Sequence, residues 1–265
     1  MLSVVAKRLY GKTILFARTS LNNLRIILTA RRIDTLKQVA AEIKREVGEG
    51  VSILPVQLDV SKRDEVFSFI NKLPAEFKQI DILINNAGLV KGVDKAPEIA
   101  LEDIKIMFDT NVTGPVNMTQ EVMKIMNKRA NGGAGDIINI GSIAGREGYP
   151  GGGIYCAIKA AFEKRINCHK NQGDRGRCRT SGNSEPKSVK VVESFVGLTG
   201  GQDFSIVRFG GDNAKADAVY AGGKPLTLDD AAEVIVFAAS RRENVVLADS
   251  LIFPNHQVSK TVEFP

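Results

Sequence analysis

The chain holds two histidines, His169 and His256, and neither has the neighbours of a Ser-His-Asp triad. General acid/base work therefore falls to Tyr, Lys, Asp or Glu. Tyr155 and Lys159 stand four residues apart, which on a helix puts them on one face, one turn from each other. Ser142 lies thirteen residues before Tyr155, directly after a strand-like run, and can face the same cleft. A phenol with a pKa near 10 is a poor base at neutral pH, and a cation one turn away is the kind of neighbour that lowers it. Tyr and Lys at this spacing are common by chance; the position at a strand end is what gives them weight. Cys168, His169 and Cys178 match no zinc spacing and have no fourth ligand. The three cysteines are odd in number and form no CxxC pair, which favours a reducing, cytoplasmic setting over a disulfide framework.

The elements that must position these groups alternate in type. Lys12–Leu15, Leu24–Ala30, Val51–Leu58, Ile80–Ile84 and Asp136–Ile140 are short apolar runs suited to buried strands. Asp34–Val47 carries Leu36, Val39, Ala40 and Ile43 at helical spacing. Lys62–Leu73 follows as a helix that Ser61 can cap, and Leu101–Arg129 makes one long helical segment. Further on, Ser188–Val192 is strand-like, Thr227–Arg241 is a helix with Asp229 and Asp230 in its first turn, and Val245–Phe253 is the last strand. Such alternation predicts a single α/β domain over 1–265, a doubly wound parallel sheet with helices on both faces. Ligands in such sheets bind beyond the carboxyl ends of the strands. The residues there include Asn85-Asn86-Ala87-Gly88 and Gly141-Ser142. Asn111 sits inside a predicted helix, where Asn is a poor former, and that misfit favours a functional role.

Four motifs in this order resemble the short-chain dehydrogenase/reductase family: Asn85–Gly88, Asn111-Val112-Thr113-Gly114, Gly141-Ser142, and Tyr155 with Lys159. Within that family the wording of Glu76–Gly88, Phe108–Gly114, Gly141–Tyr155 and Asp249–Pro254 resembles fungal NADP-dependent serine or 3-hydroxy acid dehydrogenases. The resemblance implies a Rossmann-like, three-layer α/β/α fold and hydride transfer between NADP and a small hydroxy acid or alcohol. It implies catalytic roles for Ser142, Tyr155, Lys159 and Asn111. Tyr155 acts as acid/base, Lys159 supplies charge and binds the nicotinamide ribose, Ser142 holds the substrate oxygen, and Asn111 holds a water leading from Lys159 to solvent. Arg31 and Arg32, after the second strand, stand where an adenosine 2′-phosphate lies, so NADP is preferred over NAD. Asp59 and Val60 flank the adenine, and Asn86, Ala87 and Gly88 lie along the cofactor with Tyr155 and Lys159.

The family's first strand runs into TGxxxGxG and a helix. Here Lys12–Leu15 runs through Phe16–Asn23, a segment that resembles the end of the family's first helix, directly into the next strand, with no glycine between Gly11 and Gly48. A βαβ crossover needs about a dozen residues or more, so the first crossover helix is largely deleted. Its loop and helix N-terminus are the usual anion site for the pyrophosphate. The stretch 163–187 carries seven Lys/Arg against three Asp/Glu and almost nothing apolar; it reads as a divergent, disordered insertion where the family has a long helix that commonly forms a dimer interface. After Val192 the family's Pro-Gly turn is replaced by ESFVGLTGGQ, and wording that resembles the family returns at Asp203–Arg208. Switches this sharp are the mark of a disrupted reading of an intact gene. The competing expectation is therefore an impaired or inactive relative that binds the cofactor weakly, with its oligomeric state in doubt.

Composition excludes other classes. With 43% hydrophobic and 25% charged residues the chain is ordinary for a globular protein. No apolar run approaches the roughly 18 residues of a membrane span. Trp is absent and aromatics make up 6%, which argues against a single-strand stacking surface. Lys164, Arg165, Arg175, Arg177 and Arg179 could meet phosphates, but no nucleic-acid-binding motif surrounds them. The net charge of +6 owes much to Met1–Ile33, which has seven Lys/Arg and no acid. A mitochondrial presequence would have that composition; an acid-poor pair of core strands is the reading taken here.

Overall fold

The computed structural model describes residues 13–18, 24–95, 98–129, 134–163, 189–196, 202–221, 224–242 and 245–255. In chain order the elements are β1 (Thr13–Arg18), β2 (Leu24–Ala30), α1 (Ile33–Val47), β3 (Val51–Gln57), α2 (Arg63–Lys72), β4 (Ile82–Asn85) and α3 (Leu101–Phe108). A five-residue π turn, Asp109–Thr113, joins α3 to α4 (Gly114–Met126). Then come β5 (Gly135–Ile140), α5 (153–163), β6 (Val189–Val196), α6 (Gln202–Arg208), α7 (Asn213–Ala218), α8 (Leu228–Ala239) and β7 (Asp249–Ile252).

The strands form one seven-stranded sheet in the order β3-β2-β1-β4-β5-β6-β7. Six strands run the same way; β1 runs against both its neighbours, with Thr13 opposite Thr29 and Ile14 opposite Ile84. The expected doubly wound parallel sheet holds for those six strands, and β1 is the exception. Only residues 19–23 separate β1 from β2, too few for a parallel crossover and enough for an antiparallel return. The expected strand end at Leu15 is also corrected. Phe16, Ala17 and Arg18 continue in register with Ile26, Arg25 and Leu24, so a segment resembling the end of a lost helix has become strand.

Period-two alternation splits the apolar residues between two faces. Ile26, Leu28, Ile82, Ile84 and Ile138 pack with α1 and α8 through Leu36, Ile43, Ala238 and Ala239. Ile27, Leu83 and Ile137 pack on the other face with α2 and α4 through Val66, Phe69, Met118 and Val122. That is the expected three-layer arrangement. Local departures have local causes. Ser61 does not cap α2: its N–H and hydroxyl both donate to Asp59 Oδ1, at 3.1 and 2.7 Å, leaving Lys62 as an N-cap without a side-chain bond. The long helix from Leu101 is interrupted by the π turn, and the last strand covers only Asp249–Ile252. In α8 the acidic first turn is joined by a capping box between Thr227 and Asp230. Most of the basic stretch 163–187, the zinc candidates Cys168, His169 and Cys178, and residues 1–12 lie outside the described residues.

Candidate active site

The loop after β4 is held from below and behind. Asn85 ends the strand fully buried, and its Nδ2 donates to Thr119 Oγ1 on α4 and to Asn139 Oδ1 on β5, at 3.1 and 2.8 Å. Asn111, buried in the π turn, clamps the same loop. Its Oδ1 accepts from the Leu89 N–H at 3.1 Å, and its Nδ2 donates to the carbonyls of Leu89 and Met107, at 2.9 and 2.8 Å. The extra residue of a π turn re-aims a side chain, and here it delivers Asn111 into the loop. Gly88 is required by this packing: a Cβ there would stand 2.8 Å from Asn111 Oδ1 and 3.9 Å from Lys159 Nζ. The Asn111 carboxamide is thus committed to the protein backbone.

Ser142 follows β5 and opens a single tight turn, Ile143–Gly145, where its Oγ accepts from the Ala144 N–H at 3.2 Å. This turn lies against α5. A Cβ on Gly145 would fall 2.8 Å from the Lys159 carbonyl carbon, so the two backbones touch. That contact ties Ser142 to the helix carrying Tyr155 and Lys159. Tyr155 is buried, and Lys159 Nζ lies 5.8 Å from its ring centroid and 5.7 Å from that of Phe162. The ammonium donates to the Ile140 carbonyl at 3.3 Å and, among the described residues, has no carboxylate beside it. Burial lowers the Lys159 pKa to about 8. A cation held without a counter-ion next to a phenol favours the phenolate.

A cleft of about 410 Å³ opens beyond the carboxyl ends of β2, β3 and β4. Arg31 and Arg32 line it from the end of β2, Asp59 and Val60 from the end of β3, and Ala87 and Gly88 from the loop after β4. Its volume is that of an ordinary ligand pocket. Asn86 stands in the same loop without lining the cleft. Sequence reasoning missed Thr29, Thr35, Leu58, Leu89 and Thr110, which line the cleft between the named residues. It also missed α6, whose Phe204, Ile206 and Val207 form the facing wall. Phe204 meets the Tyr155 ring edge-to-face at 5.8 Å, so α6 links the cleft to Ser142's neighbourhood. The family-like wording at Asp203–Arg208 was the available signal for it.

Strand β1 contributes no phosphate-binding turn. Because it is reversed, its first residue, Thr13, stands at the site edge of the sheet and its last, Arg18, at the opposite edge. Whatever follows β1 therefore leaves from the wrong end to cradle a ligand in this cleft.

The family model described as short chain dehydrogenase matches residues 15–176. The chain belongs to this family. It is 42% identical over 247 residues to the NADP-dependent 3-hydroxy acid dehydrogenase of Schizosaccharomyces pombe, covering 93% of this chain and 89% of the relative. An Escherichia coli NADP-dependent 3-hydroxy acid dehydrogenase is 38% identical over 211 residues, covering 80% of this chain and 77% of the relative. Among solved structures, the closed form of serine dehydrogenase complexed with NADP+ superposes with a TM-score of 0.75 at 35% identity, covering 90% of this chain and 88% of that one. This short-chain dehydrogenase thus keeps the cleft and the Ser142–Tyr155–Lys159 corner, and differs from a parallel sheet at β1.

Proposed function

We propose that the chain is an NADP-dependent oxidoreductase that interconverts a small hydroxy acid or alcohol and its carbonyl by hydride transfer. The observation that carries this reading is the Lys159 ammonium beside the Tyr155 ring, desolvated and, among the described residues, without a carboxylate partner. When bound, NADP supplies the hydride acceptor. Tyr155 takes the proton from the substrate hydroxyl, and Lys159 stabilises the phenolate that makes this possible. Ser142 donates its hydroxyl to the substrate oxygen while its lone pair stays on the Ala144 N–H. Asn111 acts by holding Leu89 and its loop in place, and any proton path through it uses its backbone, since its side chain is engaged. Arg31 and Arg32 hold the 2′-phosphate, Asp59 and Val60 flank the adenine, and Asn86, Ala87 and Gly88 follow the ribose. The names of the curated relatives support both the NADP choice and the hydroxy-acid class.

The described residues fit the adenosine and nicotinamide ends of such a cofactor better than its middle. Among the described residues no helix N-terminus adjoins β1 at the cleft, so the pyrophosphate loses two or three charge-assisted hydrogen bonds. This favours a second reading, a family member with weak NADP binding and little turnover. One titration separates the two. Wild type and Tyr155→Phe are titrated with NADPH, then assayed on a 3-hydroxy acid by nicotinamide absorbance. Saturable binding by both proteins and turnover by wild type alone supports the enzyme; absence of binding by wild type supports the impaired relative. The odd number of cysteines, with no CxxC pair among them, supports a cytoplasmic setting.

A further inference from the structure

We propose that Arg208 is the specificity-determining residue that binds the carboxylate of the substrate; this rests on the hydroxy-acid reading above and names the group that selects an acid over a neutral alcohol. Arg208 ends α6, one turn after Phe204, and residues so spaced share a helix face. Phe204 meets the Tyr155 ring, so the next turn of the same face stands beside the reacting corner. One helical turn rises about 5.4 Å, of the order of the span between hydroxyl and carboxylate in a short hydroxy acid.

The guanidinium is held for recognition. Its carbon lies 5.2 Å from the Tyr149 ring centroid and 5.6 Å from that of Phe209. The Arg208 carbonyl accepts from the Gly92 N–H at 3.1 Å, pinning the helix end to the loop after β4. Stacking fixes the plane of a guanidinium and leaves its edge for a planar anion. On that edge Nε is buried and has no acceptor among the described residues. A buried donor without an acceptor is unfavourable until one arrives, and a bidentate carboxylate is the acceptor that matches this fork.

Other cations near the corner are committed. Lys159 serves Tyr155 and the Ile140 carbonyl. Arg146 is paired with Asp249 and with Glu163. Lys91 faces Asp103 at 3.8 Å. Arg31 and Arg32 line the adenosine end of the cleft. Among the described residues Arg208 makes no ion pair; it hydrogen-bonds Tyr149, a half-buried phenol whose pKa burial raises and the charge and hydrogen bond of Arg208 draw back down, and its buried Nε is left over. The site therefore presents a cation and a neutral phenol to an incoming carboxylate.

The test compares 3-hydroxybutanoate with its methyl ester. Dissociation constants are measured by calorimetry on wild type, Arg208→Gln and Arg208→Lys, with and without NADP. The expected result is a wild-type preference for the acid that falls roughly 10- to 100-fold in Arg208→Gln, with ester binding unchanged, and falls less in Arg208→Lys. Three results would overturn the assignment: wild type shows no preference for the acid, Arg208→Gln keeps it, or acid and ester weaken together as a purely structural stack predicts. If Arg208→Gln melts early, the acid-to-ester ratio of Arg208→Lys decides alone. Hydroxy-acid turnover by wild type is read separately, so its absence with the acid preference intact removes the oxidoreductase reading and leaves the carboxylate site standing.

Discussion

Two parts of the carboxyl edge of the sheet have had different histories. Around β4, β5 and α5, the groups of the site are braced by others: the Asn85 Nδ2 by Thr119 and Asn139, the Leu89 loop by Asn111, and Lys159 by Ile140 and the backbone contact at Gly145. Around β1 the edge has been rebuilt. The strand fills its place between β2 and β4 and closes the hydrogen-bonded ladder on both sides, but it does so upside down. The sheet can tolerate this because an antiparallel ladder satisfies backbone groups as well as a parallel one. A binding loop cannot, because it must leave the strand at the site edge. Stability and cofactor binding thus place different demands on the same strand, and its two ladders answer the first.

The largest effect expected from breaking the comparison lies on the intact side. Tyr155→Phe removes one oxygen from a ring that stays packed on Phe204, so the fold and NADPH affinity persist. Turnover falls by about 10²- to 10⁴-fold, the usual range for a positioned acid/base. A melting curve and an NADPH titration beside the assay check all three parts; a variant with turnover near wild type refutes the role given to Tyr155.

Next comes repair of the rebuilt side. Inserting a segment with the TGxxxGxG loop and a helix between Leu15 and Phe16 provides the dozen or more residues that a parallel crossover needs. The expected result is a parallel first strand and NADPH binding tighter by about 100-fold or more, from two or three hydrogen bonds worth roughly 1.5–3 kcal/mol each. An insert of equal length made only of Gly and Ser lengthens the connection without a helix N-terminus, and is expected to gain little. Equal gains from both inserts would mean that strand direction is not what limits binding.

How much of this was legible depended on the range of the interactions. The polar strand ends, the alternation of strand and helix, and the pairing of Arg31 with Arg32 are local patterns, and they led to the residues that line the cleft. Counting residues also revealed the missing crossover. The reversal of β1 was not legible, because strand direction follows from which partner the chain meets after the connection is shortened; Phe16–Arg18 kept the wording of a helix end and took strand pairing from Leu24–Ile26. The π turn was hidden for a related reason. It is needed to bring Asn111 to Leu89, twenty-two positions away in sequence, and periodicity reports only neighbours. Phe204 and Arg208 were likewise seen as wording and became a wall only when α6 folded over the cleft.

A smaller effect is expected from the adenosine end, which both histories share. Arg31 and Arg32 are exposed, so their charges are screened by water and salt. Replacing both by Ala is expected to weaken NADPH by about 10-fold or somewhat more and to leave NADH nearly unchanged. Equal weakening of the two nucleotides would move the 2′-phosphate away from these residues.

A last effect, comparable in size, belongs to Lys159 and is a change in stability with pH. Its folded-state pKa of about 8 lies below the ordinary lysine value of 10.5, because burial disfavours the charged form. Below about pH 8 the lysine is protonated in both folded and unfolded chains, and the folded chain carries the full cost of a buried cation. Between about 8 and 10.5 the folded chain releases the proton while the unfolded chain keeps it, so stability rises with pH. Lys159→Met removes the charge and keeps much of the stem. It is therefore expected to melt higher than wild type at pH 7, by about 1–3 kcal/mol after allowing for the partial exposure of the side chain. The advantage should shrink steadily as pH approaches 10.5. A wild-type chain that is the more stable of the two at pH 7 would show that the Ile140 carbonyl and the two aromatic rings compensate the cation fully, and that the corner is built to hold a charged lysine instead of one poised to lose its proton.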